Sequence, residues 1–443
     1  MQLFAFQFEK NDKIVFIGNS ITHGGSFHNV LRTFLATRYQ KDLTIFNKGI
    51  SGDVAQGVLD RLEEDILSEK PTVAFVMLGM NDVQRWAYVK NPSKDQIKAQ
   101  ENAIVDYKEK TALVIKKLQE HNIRIILLTP TIFDENLLIK RNNNIGVNEA
   151  LGKCATYIKS LGKKHQLKVV DFYTILNQIN KEQQEINPNF TIIGKDRVHP
   201  GKTGHFVMGY QLIETLEKEN RMVSSISIHV KKKKTLQAIN SSITKIEGNS
   251  KHLKFSVLAN SLPVPLSQFD KNGQQLVPFS EKLNQEIIAF QKLKKGNYKL
   301  LIDGISLGVF NKKTLENGIR LDTILKTPQY KQAIKVKQLS DQIRWQQGKI
   351  RDLRYVDYMQ LKIKTASLST EKKIKLAKEK YTELEKSKNQ YLGYYKKMLK
   401  NYINNLDKEA PVKQQIIKAR QQLFQQSKPV EHQYELVAID SNK

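Results

Sequence analysis

Two stretches far apart in the chain hold side chains of complementary chemistry. Gly18-Asn19-Ser20-Ile21-Thr22 places a hydroxyl beside a glycine turn, and Asp196-Arg197-Val198-His199-Pro200 places a carboxylate three residues before an imidazole. That spacing lets Asp196 fold back onto Nδ1 of His199, fixing the tautomer whose Nε2 is free to accept the proton of Ser20. Such an arrangement makes a serine nucleophilic enough for acyl transfer. Taken singly, each residue has a plainer role: Ser20 as a turn or cap residue, Asp196 as a turn or helix cap, His199 as a hydrogen-bonded loop histidine. Acyl transfer also needs donors for a tetrahedral oxyanion. Asn47-Lys48-Gly49-Ile50-Ser51-Gly52-Asp53 offers the unobstructed N–H of Gly52, and Gly79-Met80-Asn81-Asp82 offers the amide of Asn81. In isolation Asp53 reads as a helix N-cap and Asn81 as a turn residue; together they fit one site.

These residues need a scaffold that brings loop ends together. Ile14-Val15-Phe16-Ile17 is a short apolar run ending at Gly18, and similar runs follow at 43–46, 73–78, 123–128 and 168–171. Amphipathic stretches alternate with them at Val54–Leu67, Asn102–Leu118 and Ile145–Leu161, and a helix is expected from near Gly201 through Met208 to Leu216. Alternating strands and helices imply crossover connections and a parallel sheet covered on both faces. The ligand crevice of such a sheet lies beyond the carboxyl ends of its strands, where Ser20, Gly52 and Asn81 fall.

After Arg221 the pattern shifts to short segments at Val223–Val230, Leu253–Leu258, Tyr298–Ile302 and Ile305–Phe310, with Asp303-Gly304 as a two-residue hairpin turn. From Thr327-Pro328 the chain turns helical, and Pro411 marks a break in it. Three units are expected: an α/β domain over 1–220, a smaller all-β segment over 221–326 and a Lys-rich helical region over 327–443.

The 443 residues can bury a large core without disulfide staples, and no apolar run approaches the length of a bilayer span. One cysteine, Cys154, allows neither an internal disulfide nor a thiolate zinc site. The net charge of +28 is uneven: residues 1–220 carry 29 basic against 25 acidic side chains, residues 221–443 carry 43 against 19. The basic half reads first as solvated surface and second as a surface for a polyanion, an anionic glycan before nucleic acid, because it shows no nucleic-acid recognition motif. Met1–Phe8 has neither the basic nor the apolar region of a signal peptide.

In order along the chain, Gly18-Asn19-Ser20, Gly49-Ile50-Ser51-Gly52, Gly79-Met80-Asn81-Asp82 and Asp196-Arg197-Val198-His199 resemble the four motif blocks of the SGNH hydrolase superfamily, the GDSL-type esterases and lipases. The resemblance covers residues 12–218. It implies a flavodoxin-like three-layer α/β/α domain, Ser20 as nucleophile, His199 and Asp196 as the rest of a triad, and Ser20 N–H, Gly52 N–H and Asn81 as the oxyanion hole. Asn19 departs from the pattern, standing where an aspartate outside the triad is usual; altered local hydrogen bonding is the expected consequence. The whole-chain layout is similar to bacterial SGNH proteins of polysaccharide breakdown, which implies removal of O-acetyl groups from an acylated glycan in the periplasm or outside the cell, with a cytoplasmic location the alternative.

His23, His28, Arg85 and Tyr88 follow the first and third blocks and are candidates to line a substrate pocket, with local hydrogen bonding the alternative. The pairs His23/His28 and His199/His205 lack a third ligand, and phosphate-loop, dinucleotide and HExxH patterns do not occur, so neither metal nor cofactor is expected. Two other functions remain open: a glycan-binding module with a vestigial site, which a fluorophosphonate probe would leave unlabelled, and a lipid-ester or thioester hydrolase, which chain-length profiling would reveal.

Overall fold

A computed structural model describes residues 6–39, 41–139, 143–219, 221–385 and 391–439. Five parallel strands, β1 (Lys13–Gly18), β2 (Thr44–Gly49), β3 (Val73–Met77), β4 (Arg124–Leu128) and β5 (Lys168–Val170), lie in the order β2-β1-β3-β4-β5. This is the flavodoxin-like order, whose crevice opens where β1 and β3 send their connections to opposite faces. Strand β1 shows why the run is apolar throughout: Ile14 and Phe16 enter the core on one face, Val15 and Ile17 the core on the other.

Helices α1 (Ser20–His23) and α2 (Ser26–Arg38) follow β1, α3 (Ala55–Asp60) follows β2, α4 (Lys94–Glu120) follows β3 and α5 (Val147–His165) follows β4. After β5 come α6 (Phe172–Ile186) and α7 (Lys202–Leu216). Phe27, Phe172 and Phe206 bring α2, α6 and α7 onto one face, while Tyr107, Val114 and Leu151 bring α4 and α5 onto the other. The helix expected over Val54–Leu67 is shorter: α3 ends at Asp60 and the chain widens into a π turn over Leu62–Ile66. Arg61 and Asp65 are both buried there, paired to each other at 2.6 Å.

Beyond residue 221, β6 (Ser224–His229), β7 (Lys234–Ile239), β8 (Ser241–Gly248) and β9 (His252–Ala259) lead into the short helices α8 (Lys271–Leu276) and α9 (Phe279–Leu283). Then follow β10 (Glu286–Gln291), β11 (Asn297–Ile302), β12 (Ile305–Asn311), α10 (Lys312–Asn317) and β13 (Ile319–Arg320). The helical part comprises α11 (Pro328–Tyr355), α12 (Thr370–Glu385), α13 (Leu392–Asn405) and α14 (Glu409–Gln426), and β14 (His432–Ile439) ends it. Two sheets, β13-β10-β6-β7 and β12-β11-β14-β9-β8, share one core through Ile288, Phe290, Phe255, Leu300 and Leu436. Asp303 and Gly304 both take positive φ, 48° and 74°, as the hairpin between β11 and β12 requires.

Two details differ from the sequence expectation. The segment 221–326 is not all-β but carries α8, α9 and α10, and Val264, Val277, Phe279 and Leu283 leave it to pack into the α/β core. The region from 327 ends in a strand that sits between β9 and β11, because Tyr434 and Leu436 alternate inward with a period of two. Of Met1–Phe8, the first five residues lie outside the described ones, and Phe8 is buried. Among the described residues no helix is long and apolar enough to cross a membrane.

Glu286 opens β10 wholly buried, with Oε1 accepting from Gln329 Nε2 at 2.8 Å. Burial pushes its carboxyl up to about 7. Between the ordinary carboxylate range and that value the folded chain holds a proton that the unfolded chain has released, so stability falls as pH rises through the window. Glu286→Gln keeps an acceptor for Gln329 and cannot ionise. From pH 5 to pH 8 the wild type should lose on the order of 1–3 kcal/mol more than this variant, read from thermal midpoints at both pH values.

Candidate active site

Ser20 stands at the mouth of β1 as the first residue of α1. Asn19 is buried and caps that helix, its Oδ1 accepting from Ile21 N at 3.2 Å, so the residue that departs from the motif does structural work here. Ser20 Oγ lies 2.7 Å from His199 Nε2, and His199 Nδ1 lies 2.5 Å from Asp196 Oδ2. Asp196 Oδ1 accepts from the backbone N–H groups of Val198 and His199 at 3.0 and 2.9 Å. Burial pushes the Asp196 carboxyl up, but the His199 hydrogen bond and these two N–H groups outweigh it and hold it well below the usual carboxylate range.

The turn carrying this pair is held in an uncommon backbone conformation. Arg197 has φ +66°, a left-handed value for a residue with a Cβ. Its buried guanidinium donates to the Asp134 carbonyl at 2.8 Å, and Asp134 N donates back to the Arg197 carbonyl at 3.1 Å. The turn is thereby fastened to the loop after β4, with Asp196 and His199 on its outer side.

The loops after β2 and β3 are locked to each other. Asp82 accepts from Ala55 N through Oδ1 at 2.7 Å and from Gly79 N through Oδ2 at 2.8 Å. Burial raises this carboxyl to about 6. Asn81 Nδ2 donates to the Asp53 carbonyl at 2.9 Å, and Asn81 Oδ1 accepts from Arg85 Nη1 at 3.1 Å. The oxygen contact sets the orientation of the amide, and one of its two N–H bonds remains beyond the Asp53 contact. Gly52 has φ +84°, and a Cβ there would meet Met359 Cε at 3.1 Å. Gly49 is tighter still, since a Cβ would fall 2.2 Å from His23 N.

Ser20, His199 and Asp196 are thus joined by hydrogen bonds, and Gly52 and Asn81 sit on two adjoining loops. The four pocket candidates separate. Arg85 lies half-buried against Asn81 and the Met80 carbonyl, so it orients an amide. His23 is buried, with Nδ1 accepting from Ser51 N at 3.2 Å and Nε2 donating to Asp352 Oδ1 at 3.1 Å. His28 is a correction: it is fully buried, stacked on Phe16 at 4.7 Å, and burial pushes it down to about 3. Tyr88 is also a core residue, packed against Gly146 and 8% exposed. His205 stacks on Phe27 and is pushed down to about 3 by burial. Asp53 is no simple cap: its Oδ2 takes two hydrogen bonds from Arg61, at 2.9 and 2.7 Å.

Sequence reasoning missed what the C-terminal helices contribute. Arg351 of α11 grips Asp65 with both terminal nitrogens at 2.7 Å and donates through Nε to the Gly49 carbonyl at 3.1 Å. Asp65 pairs in turn with Arg61, and Arg61 with Asp53. Tyr394 of α13 lies close to Ser51, and Met359 covers Gly52. A Lys-rich helical sequence gives no local signal for these contacts; only the long separation in the fold reveals them.

The ordered sheet and the Ser, Gly, Asn and His residues at its strand ends define an SGNH-type hydrolase fold. Residues 14–212 match the family model described as GDSL-like lipase/acylhydrolase. The chain is 25% identical over 213 residues to an acetylxylan esterase of Geobacillus stearothermophilus, covering 44% of this chain and 90% of that protein. Its whole architecture is similar to the solved structure of a gut microbial diltiazem-metabolizing enzyme, with TM-score 0.86, 28% identity and coverage of 98% of this chain and 99% of that one.

Proposed function

We propose that this protein is a serine esterase that removes O-acyl groups, acetyl foremost, from a glycan. The observation that carries the reading is the unbroken line of hydrogen bonds from Ser20 Oγ through His199 to Asp196, at 2.7 and 2.5 Å, beside Gly52 and Asn81. In this reading Ser20 Oγ attacks the ester carbonyl carbon while its proton passes to His199 Nε2. Ser20 N–H, Gly52 N–H and the second N–H of Asn81 take the oxyanion. Collapse of the tetrahedral species breaks the C–O bond, and His199 returns the proton to the leaving alcohol oxygen. Water then attacks the acyl-enzyme with His199 as base, releasing the acid and restoring Ser20. Asp196 stays ionised throughout, holding the ring and stabilising the imidazolium.

The glycan part of the proposal draws on the acetylxylan esterase relative. A second reading is favoured by the whole-chain likeness to the diltiazem-metabolizing enzyme: the ester belongs to a small molecule without sugar. Acid released from acetylated polysaccharides, compared with turnover of simple aryl acetates, separates the two. The esterase reading itself is tested by a fluorophosphonate probe: labelling should map to the Ser20 peptide, and an unlabelled Ser20 in active-pH buffer overturns it.

Asn81→Ala should lower kcat on p-nitrophenyl acetate roughly 100- to 1,000-fold, the range for one lost oxyanion donor, with KM little changed. Because Asn81 also bonds the Asp53 carbonyl and Arg85, its folded state is checked by circular dichroism. A fully folded variant with parental kcat removes Asn81 from the oxyanion hole.

A further inference from the structure

We propose that the cleft between α7, the turn at residues 267–272 and α11 is a subsite for the saccharide rings that flank the acylated one, with the Trp345 indole as its stacking platform. The inference rests on the glycan esterase reading and extends it to a chain of sugars. The open cleft has a volume of about 960 Å³, and its lining includes Ser26, at the start of α2, and Lys202, at the start of α7. These follow Ser20 and His199 closely in sequence, so the loops that carry the relay also form the rim of the cleft. Its volume lies at the top of the roughly 300–1,000 Å³ usual for ligand pockets, more than a single small ester requires.

The lining is built for rings bearing hydroxyls. Val30, Phe206 and Phe269 give it an apolar floor, while Lys202, Asn272 and Arg344 bring donors to its walls. Several of the polar groups are already fixed: Arg344 Nη1 donates to the Gly24 carbonyl at 3.1 Å, and Asp270 Oδ2 accepts from Thr203 Oγ1 and Gly273 N, both at 2.8 Å. An acyl chain lying there would strip water from these groups without replacing its hydrogen bonds. A sugar replaces them, and presents flat C–H faces as well.

Trp345 is 61% exposed on a helix whose other faces are packed against α2 and α14. Lys349 Nζ lies 3.6 Å from its ring centroid and steadies the indole on one side. An exposed indole at the edge of a polar cleft is a surface for ring stacking, with large contact area at small entropic cost. The cations of the cleft, Lys202, Lys271, Lys337 and Arg344, outnumber its carboxylates, Asp270 and Asp341, which suits a chain that also bears acidic sugars.

The test compares wild type and Trp345→Ala on p-nitrophenyl acetate, acetylated xylose and acetylated xylohexaose. Trp345→Ala should raise KM for the hexaose about tenfold, the loss of one good aromatic contact, and leave kcat unchanged. On the two small substrates kcat/KM should stay within about twofold of wild type. An unchanged KM for the hexaose, or an equal loss on all three substrates, overturns the subsite. So does a wild type no better on the hexaose than on the monosaccharide, an outcome that leaves the esterase reading standing. If the wild type turns over none of them, the esterase reading fails. Titration of Ser20→Ala with xylohexaose, monitored by isothermal titration calorimetry, then decides the cleft: binding lost on adding Trp345→Ala supports it, and no binding overturns it.

Discussion

Ser20→Ala should lower kcat on p-nitrophenyl acetate by about 10⁴-fold or more and abolish fluorophosphonate labelling, with the fold intact. The size follows from what the hydroxyl alone supplies. Without Oγ there is no acyl-enzyme, and the remaining groups can only assist direct attack by water. Fold retention follows from the local structure: Ser20 Oγ bonds His199 on an open surface, while the start of α1 is capped by Asn19. Because the three side chains act as a unit, Ser20→Ala combined with His199→Ala should be hardly slower than Ser20→Ala alone. Acetate release at the parental rate by folded Ser20→Ala ends the assignment of Ser20 as nucleophile.

Much of this site was legible because its geometry is local or anchored at strand ends. The Asp196–His199 contact spans three residues, and each loop after β1, β2 and β3 follows an apolar run that only a buried parallel strand explains. His28 was misplaced for a related reason. Eight residues past Ser20, proximity in sequence says nothing about side-chain direction, and on α2 position 28 turns inward onto Phe16. Arg85 was found as a residue but not as a role, since its target, the Asn81 oxygen, depends on the turn between them. Strand β14 was hidden by its neighbours: it follows a long helical stretch, and its partners β9 and β11 lie far back in the chain. The helices of the last third left the least trace. Arg351 reads as one more cation among 43 in the second half, and its two partners, Asp65 and the Gly49 carbonyl, are 286 and 302 residues away.

That contact carries the second large effect. Arg351→Met keeps an apolar stem of similar length but removes three hydrogen bonds, two to Asp65 and one to the Gly49 carbonyl. Arg351 and Asp65 are 2% and 4% exposed, so the carboxylate cannot recover its loss from water. Burial pushes Asp65 up, while Arg351 and then Lys48 hold it far below the usual carboxylate range. Removing one partner from a buried pair of this kind costs about 3–5 kcal/mol, which should appear as a large fall in the thermal midpoint. The same change should reach the chemistry. Gly49 begins the loop that presents Gly52, and Asp65 steadies that loop again through Arg61 and Asp53. In protein that is still folded at assay temperature, kcat on p-nitrophenyl acetate should fall with KM nearly constant, since a displaced oxyanion donor weakens the transition state more than the ground state. Arg351→Lys restores the charge without the two-pronged grip and should fall between the variant and the parent in both measurements. A midpoint and kcat unchanged in Arg351→Met would mean that Lys48 and Arg61 suffice for Asp65, and that the helical region covers the oxyanion loop without supporting it.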